Sequence, residues 1–128
     1  MISDWHKYKN FNSHEFDCSH TGKNNMREEF MDMLQMIRSV YGKPMKITSG
    51  YRDFTHPVER EKDKPGEHTY GMAADIAVQG TDALELVSIA YGLGVRRIGL
   101  KQHGNGRFVH LGMGDKSLGF PPALWTYP

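Results

Sequence analysis

Residues 66–78 read GEHTYGMAADIAV, and this stretch decides both the fold and the site that the sequence predicts. It begins as a loop after Pro65 and ends in an apolar run over residues 73–78. Such a run next to a glycine-containing loop is typical of a buried strand. Asp75 interrupts the run, and a carboxylate in a strand core is costly unless it is paired or bound to a metal.

His68 lies upstream of Asp75, and Gly71 between them lets the backbone turn. A histidine from a loop and an aspartate from a strand are two of the three protein ligands that an open zinc site needs. The third is expected to be a histidine on another strand, and His110, within RFVHLG at 107–112, is the best candidate. The alternative is a surface His68, a hydrogen-bonded Asp75 and a His110 paired with a neighbour.

Composition limits the classes of function. The chain has 128 residues, enough for one domain, and we expect a single domain over residues 1–128. The net charge of +1 argues against nucleic-acid or membrane-surface partners. Cys18 is the only cysteine, so an intrachain disulfide and a cysteine-based zinc site are excluded.

The N-terminal residues 1–7 lack the apolar segment of a signal peptide, and no apolar run approaches the ~20 residues that span a bilayer. We therefore expect a protein that is synthesised in the cytoplasm and does not insert into membranes. If its substrate lies outside the membrane, another process must carry the protein there.

Residues 25–41 are predicted to form an amphipathic helix. Asn25 and Glu28 resemble a capping box, and Gly42 and Pro44 supply the stop. Its apolar side chains recur at helical spacing: Met26, Phe30, Met33, Leu34, Ile37, Val40 and Tyr41.

A second helix is predicted over residues 81–93, with Gly80 or Thr81 as its cap and Gly94 at its end. Its apolar face comprises Ala83, Leu84, Val87, Ala90 and Tyr91.

The remaining patterns indicate strands and loops. Residues 45–49 alternate as a strand, and residues 97–100 and 107–111 favour an antiparallel hairpin. A short helical turn is expected to begin at Asn12 or Ser13, and the tail is expected to be extended with Trp125 packed on the body. Helices flanking a small, mostly antiparallel sheet make the predicted fold class α+β.

Residues 54–67 form a long charged loop that leads into His68. Loops this long in a small domain are usually functional or mobile. His56 and Glu59 in this loop could touch a substrate, but a solvated loop is the favoured interpretation.

The zinc hypothesis has a chemical consequence. Two imidazoles and one carboxylate leave a fourth position for water, and such a centre suits amide hydrolysis. Arg52 follows a strand end, where its guanidinium could enter the same cleft and bind a substrate carboxylate in a bidentate fork. Alternatively, Arg52 is a surface residue paired with Asp53 or Glu59.

Three motifs together carry a resemblance to a known family. ITSGYR at 47–52, HTYGMAADI at 68–76 and FVH at 108–110 resemble the zinc D-alanyl-D-alanine peptidases. This group includes vancomycin-resistance dipeptidases, phage endolysins that cut cell-wall peptides, and the related hedgehog fold. The resemblance runs from about Phe11 to Gly112, and the motifs appear in the family's order.

The resemblance implies that His68, Asp75 and His110 bind Zn²⁺ and that Arg52, with Tyr51 beside it, binds the substrate. The implied substrate and partner is the peptide stem of peptidoglycan, cut by carboxypeptidase or endopeptidase action. The implied setting is a phage-type lysin, either released through a membrane lesion or carried in a virion.

Two departures from the family pattern concern the general base. Many members have an acid three residues before the last histidine ligand, where this chain has Arg107, and many short members have one two residues after it, where this chain has Gly112. The remaining candidates are His103, Glu67 and Asp115, and His103 in the hairpin turn is the predicted base. The alternative for His103 is a solvent-exposed turn residue.

These departures leave alternative functions of the same fold open. One is a zinc-binding but inactive module that binds the cell wall. Another is a structural component of a virion in which the metal serves stability.

Overall fold

Five strands form one sheet in the computed structural model, which describes residues 2–128. The strand order is β1-β2-β4-β3-β5, and every neighbouring pair is antiparallel except β3 and β5, which are parallel. The bounds are β1 Lys46–Ser49, β2 Ala73–Ala77, β3 Arg97–Lys101, β4 Phe108–Gly112 and β5 Ala123–Thr126. This confirms the predicted α+β class with a mostly antiparallel sheet.

Three α-helices accompany the sheet: α1 Glu28–Tyr41, α2 Pro57–Arg60 and α3 Gly80–Gly92. Short 3-10 turns lie at Trp5–Lys7, Ser13–Phe16, Glu67–Tyr70 and Lys116–Leu118. Helices α1 and α3 pack against each other. Within residues 2–128, none of the helices combines the length and the apolar character that a membrane span requires.

The core lies between the two long helices and one face of the sheet. Successive side chains of a strand point to opposite faces, so Asp75 and His110 lie on the other face from their strand neighbours. Those neighbours share one buried cluster with the inner side chains of α1 and α3: Ala74, Ile76, Val109, Leu111, Phe30, Leu34, Ile37 and Leu86. The helices therefore cover one face and leave the other face for the site.

Helix α1 begins three residues later than predicted, and no side chain caps it. The expected capping box at Asn25 is wrong, because the chain before α1 is tied to a loop: the Arg27 amide donates to the Gly71 carbonyl at 3.0 Å. A reciprocal capping box does occur at Asn12 and Glu15, which confirms the predicted turn there.

The buried face of α3 is rotated from the predicted one. Leu84 and Tyr91 are 74% and 57% exposed, whereas Leu86 is fully buried. The N-cap of α3 is Gln79 rather than the predicted Gly80 or Thr81. Spacing alone did not distinguish the two faces, since apolar residues occur on both. Val40, predicted to face the core from α1, is 60% exposed.

The hairpin of β3 and β4 is confirmed, and the extended tail proves to be a fifth strand, β5, paired with β3. The long loop is only partly as predicted. It contains α2, whose Glu59 is 3% exposed, so the solvated-loop interpretation is wrong for that residue.

The register of α3 gives a test with a matched pair of leucines. We expect Leu86→Ala to lower the free energy of unfolding by about 2–4 kcal/mol, because it empties a packed site. Leu84→Ala, at an exposed position, should change it by less than about 0.5 kcal/mol. Urea unfolding followed by circular dichroism measures both, and equal losses would contradict the observed register.

Candidate metal centre

The floor of the site is one row of residues that crosses the whole sheet. Asp75 lies opposite Ser49 on one side and opposite His110 on the other. His110 in turn lies opposite Gly99, and Gly99 opposite Trp125. Residues at matching positions of paired strands project from the same face. Strand register therefore brings together an acid and an imidazole that are far apart in the sequence.

His68 reaches the row from the 3-10 turn Glu67–Tyr70, which ends at Gly71 in the left-handed region with φ of 69°. Its Nδ1 lies 2.8 Å from the Gly50 carbonyl oxygen. A carbonyl only accepts, so this bond assigns the hydrogen to Nδ1 and leaves the lone pair on Nε2. Nε2 faces the row, 3.4 Å from Oδ1 of Asp75.

His110 is held at both ring nitrogens. Its Nδ1 lies 2.9 Å from Oδ1 of Asp75, and its Nε2 lies 2.5 Å from Oε1 of Glu67. The rings of His68 and His110 meet edge to face with centroids 4.9 Å apart. Both imidazoles therefore present one nitrogen to the same carboxylate oxygen.

The three side chains fit a zinc ion by the chemistry of their donors. His68, Asp75 and His110 are 5%, 7% and 4% exposed, and one donor atom from each lies within 4.8 Å of the others. Two imidazole nitrogens and one carboxylate oxygen are a known donor set for open zinc sites. In each histidine the nitrogen turned away from the site is hydrogen-bonded to an oxygen, as in metal-binding histidines generally.

The charge of Asp75 depends on its two neighbours. Burial by itself would raise the pKa of this carboxyl, but hydrogen bonds and charge from His110 and His68 hold its pKa well below the usual range. A carboxylate that stays ionised while buried is the form that binds a metal ion.

Arg52 lies in the wall of the cavity next to this row. Its NH1 donates to Oε2 of Glu59 at 2.7 Å, and its NH2 donates to Oγ of Ser49 at 3.0 Å. Glu59 also accepts from Lys62 at 3.0 Å and from the Gly66 amide at 2.8 Å. Arg52 therefore pairs with Glu59 and also lies in the cleft, so the two interpretations that the sequence leaves as alternatives occur together.

A cavity of about 390 Å³ lies over the three donors. One part of its wall is cationic and another is aromatic. The lining comprises Arg52, Val58, Lys62, Gly66, Glu67, His68, Asp75, Arg97, Phe108, His110, Phe120, Trp125 and Tyr127.

Two residues predicted to act on the substrate do not line this cavity. Tyr51 is 7% exposed, and its hydroxyl lies 3.5 Å from Nδ2 of Asn25. His103 is exposed in the hairpin turn, with Nε2 at 3.2 Å from the carbonyl oxygen of Tyr127. The roles predicted for Tyr51 and His103 therefore stay predictions. His103 is connected to the cavity through its hydrogen bond to Tyr127, which is a lining residue.

Sequence reasoning missed the aromatic wall that the tail supplies. Trp125 contacts the His110 ring at a centroid distance of 5.1 Å, and a Cβ on Gly99 would come within 2.6 Å of its indole nitrogen. Gly99 in the middle of a strand was the available signal, because a strand glycine often marks a close approach. The buried role of Glu59 had no comparable signal.

Comparison with known proteins adds one match. A family model described as Peptidase M15 matches residues 7–112, which include β1 to β4 and all three candidate metal ligands. The match ends at the last residue of β4, so the tail with β5 lies outside it. No curated protein matches the chain significantly.

The charge cluster around Glu59 predicts a pH dependence of stability. Burial would raise the pKa of Glu59, but hydrogen bonds from Arg52, Gly66 and Lys62 lower it to about 2. A depressed folded-state pKa stabilises the protein above the unfolded pKa of about 4.3, and that stabilisation is lost as pH falls toward 2.

We therefore expect Glu59→Gln to flatten the loss of stability between pH 7 and pH 3 by about 1–2 kcal/mol relative to the wild type. Glu61→Gln, an exposed position in the same loop, is the matched control and should keep the wild-type profile. Urea unfolding across the pH series measures this difference, and parallel profiles for wild type and Glu59→Gln would refute it.

Proposed function

This chain belongs to the peptidase M15 family, and we propose that it is a zinc-dependent peptidase that hydrolyses amide bonds in the peptide stem of bacterial peptidoglycan. One observation carries the proposal: His68, Asp75 and His110 converge with one donor atom each at the floor of a cavity. Family membership supports a peptidase acting on peptidoglycan-type substrates. The geometry supports a metal centre as its chemical core.

In this proposal Nε2 of His68, Oδ1 of Asp75 and Nδ1 of His110 hold the zinc ion. When bound, zinc supplies Lewis-acid activation of water and of the scissile carbonyl. The protein contributes the fixed orientation of the two rings, since the Gly50 carbonyl and the Glu67 carboxylate hold their outer nitrogens.

Arg52 has donors left for a substrate. A guanidinium carries five N–H donors, and the bonds to Glu59 and Ser49 account for two of them. Glu59 is shared with Lys62, so one carboxylate faces two cations and this side of the cavity keeps a net positive charge. We propose that Arg52 binds a carboxylate or carbonyl oxygen of the peptide here.

The aromatic wall suits the apolar parts of a peptide. Phe108, Phe120, Trp125 and Tyr127 line the cavity together with Val58. A cavity of about 390 Å³ lies at the small end of the range for ligand sites. We infer that it holds the residues on either side of the cut bond, and that α2 with its flanking loop limits how far the peptide extends.

His103 is the proposed general base, and Tyr51 is proposed to act beside Arg52. The bond of His103 to the Tyr127 carbonyl supports a position near the cavity wall. If His103 is the general base, His103→Ala should lower turnover by about 10²–10⁴-fold with zinc retained. If His103 is only an exposed turn residue, His103→Ala should keep wild-type turnover. If the Tyr51 hydroxyl binds substrate, Tyr51→Phe should lower turnover with zinc retained, and wild-type turnover of this variant would exclude that role.

A second candidate function is an inactive zinc-binding module of the same fold, acting as a cell-wall-binding or virion structural part. Arg107 favours this second function, because many members of the family have an acid at the corresponding position. Here the exposed Arg107 donates from Nε to the Gly104 carbonyl instead. A phage-type lysin that acts on the wall after release, or from a virion, remains our proposal for the setting of the active enzyme.

The proposed activity is tested on defined muropeptides, with fragments identified by mass spectrometry. We expect wild-type protein with about one zinc ion per chain to release new termini, and His68→Ala to lose both zinc and turnover. His14→Ala, at an exposed position, is the control and should keep both. Equal cleavage by His68→Ala and wild type would rule out zinc catalysis, and zinc binding without cleavage by any variant would favour the inactive module.

Arg52 gives a separate prediction. We expect Arg52→Ala to lower turnover by about 10²–10³-fold while zinc content stays at the wild-type level, because it removes a preorganised charge contact to the substrate. Arg60→Ala, an exposed arginine of α2, is the matched control. Loss of zinc together with turnover in Arg52→Ala would mean that Arg52 supports the fold of the site instead.

A further inference from the structure

Glu67 directly precedes the first candidate ligand in the sequence, yet its carboxylate contacts the last one. Its side chain is buried, and Oε1 lies 2.5 Å from Nε2 of His110. The opposite ring nitrogen, Nδ1, lies 2.9 Å from Asp75. The imidazole of His110 is thus held between two carboxylates: Asp75 on the side of the proposed metal position and Glu67 on the opposite side of the ring.

The space for this carboxylate exists because residue 112 has no side chain. A Cβ built on Gly112 would overlap the carboxyl group of Glu67, although the strand backbone there is not in the left-handed region. A Cβ on Gly114 would come within 2.7 Å of Oε2. The Gly114 amide instead donates to Oε2 at 3.0 Å. Two glycines therefore make a cradle that fits a carboxylate arriving from another loop.

A cation from the neighbouring strand completes the surroundings of Glu67. Nε of Arg97 lies 3.1 Å from Oε2 as an ion pair. The Arg97 guanidinium stacks on Phe120 and Trp125, at 5.4 and 5.0 Å from the ring centroids, and donates to the Pro121 carbonyl. The position of the carboxylate is thereby tied to the tail, which lies outside the family match.

We infer that Glu67 is a positioning residue that accepts the Nε2 hydrogen of His110 and thereby directs the Nδ1 lone pair to the metal position. The inference rests on the proposed function. It also excludes Glu67 as the general base, because its carboxylate lies behind the ring, on the side away from Asp75. Outer-sphere acceptors of this kind typically contribute 10–100-fold to metal affinity.

The test is zinc affinity, measured by competition with a chromophoric chelator, for a pair of variants with similar volume. Glu67→Met fills the cradle without an acceptor, and we expect it to bind zinc about 10–100-fold more weakly than wild type. Glu67→Gln keeps one acceptor oxygen, and we expect a clearly smaller loss. Glu61→Gln, in the exposed part of the loop, should bind as wild type does.

A second variant reaches the same contact without altering Glu67. Gly112→Ala puts a methyl group into the space of the carboxylate, so we expect weaker zinc binding although no proposed ligand has changed. Circular dichroism and urea unfolding verify that each variant is folded before its affinity is measured. If both variants at position 67 fail to fold, Gly112→Ala decides the question.

The outcomes separate this inference from the proposed function. If wild-type protein binds no zinc, the proposed function fails. If wild type binds zinc and Glu67→Met or Gly112→Ala binds it equally tightly, the positioning role alone is overturned. A Glu67→Gln variant with wild-type zinc affinity but no turnover would make Glu67 the base and would also overturn the inference.

Discussion

The structure depends on one cross-strand pair, Asp75 of β2 opposite His110 of β4. A buried carboxylate is costly alone, and two imidazoles offset that cost here. The same register packs Ala74, Ile76, Val109 and Leu111 against the helices. A slip of one residue would turn the acid into the core and the apolar residues toward the cavity. Core packing and site geometry are therefore specified by the same pairing.

Much of this arrangement follows from local sequence patterns. An acid inside an apolar run and a histidine inside another predict two strands that each present one polar side chain, and both strands are present. The hairpin could be predicted because glycines and polar residues separate its strands. The buried face of α3 could not, since Leu84 and Leu86 are equally apolar and only the packed sheet distinguishes them.

The contacts of Glu67 and the burial of Glu59 could not be predicted from the sequence, for a physical reason. The buried carboxylate of Glu67 has partners from distant parts of the chain, His110, Arg97 and the Gly114 amide, so no local pattern indicates them. The partners of Glu59 all lie within seven residues of it, but its burial depends on how the loop folds over the cavity. Its place beside His68 in the sequence makes Glu67 a candidate base, but its carboxylate contacts His110. A missing side chain at Gly112 is what makes that contact possible.

The most direct test of the account is a crystal structure of zinc-loaded protein with anomalous data collected at the zinc edge. We predict one strong anomalous peak at the floor of the cavity, from a zinc ion bound by His68, Asp75 and His110. Its coordination should be tetrahedral, with the fourth position not taken by a protein ligand. An anomalous map without a peak between these three side chains, or with zinc bound only elsewhere on the chain, would contradict it.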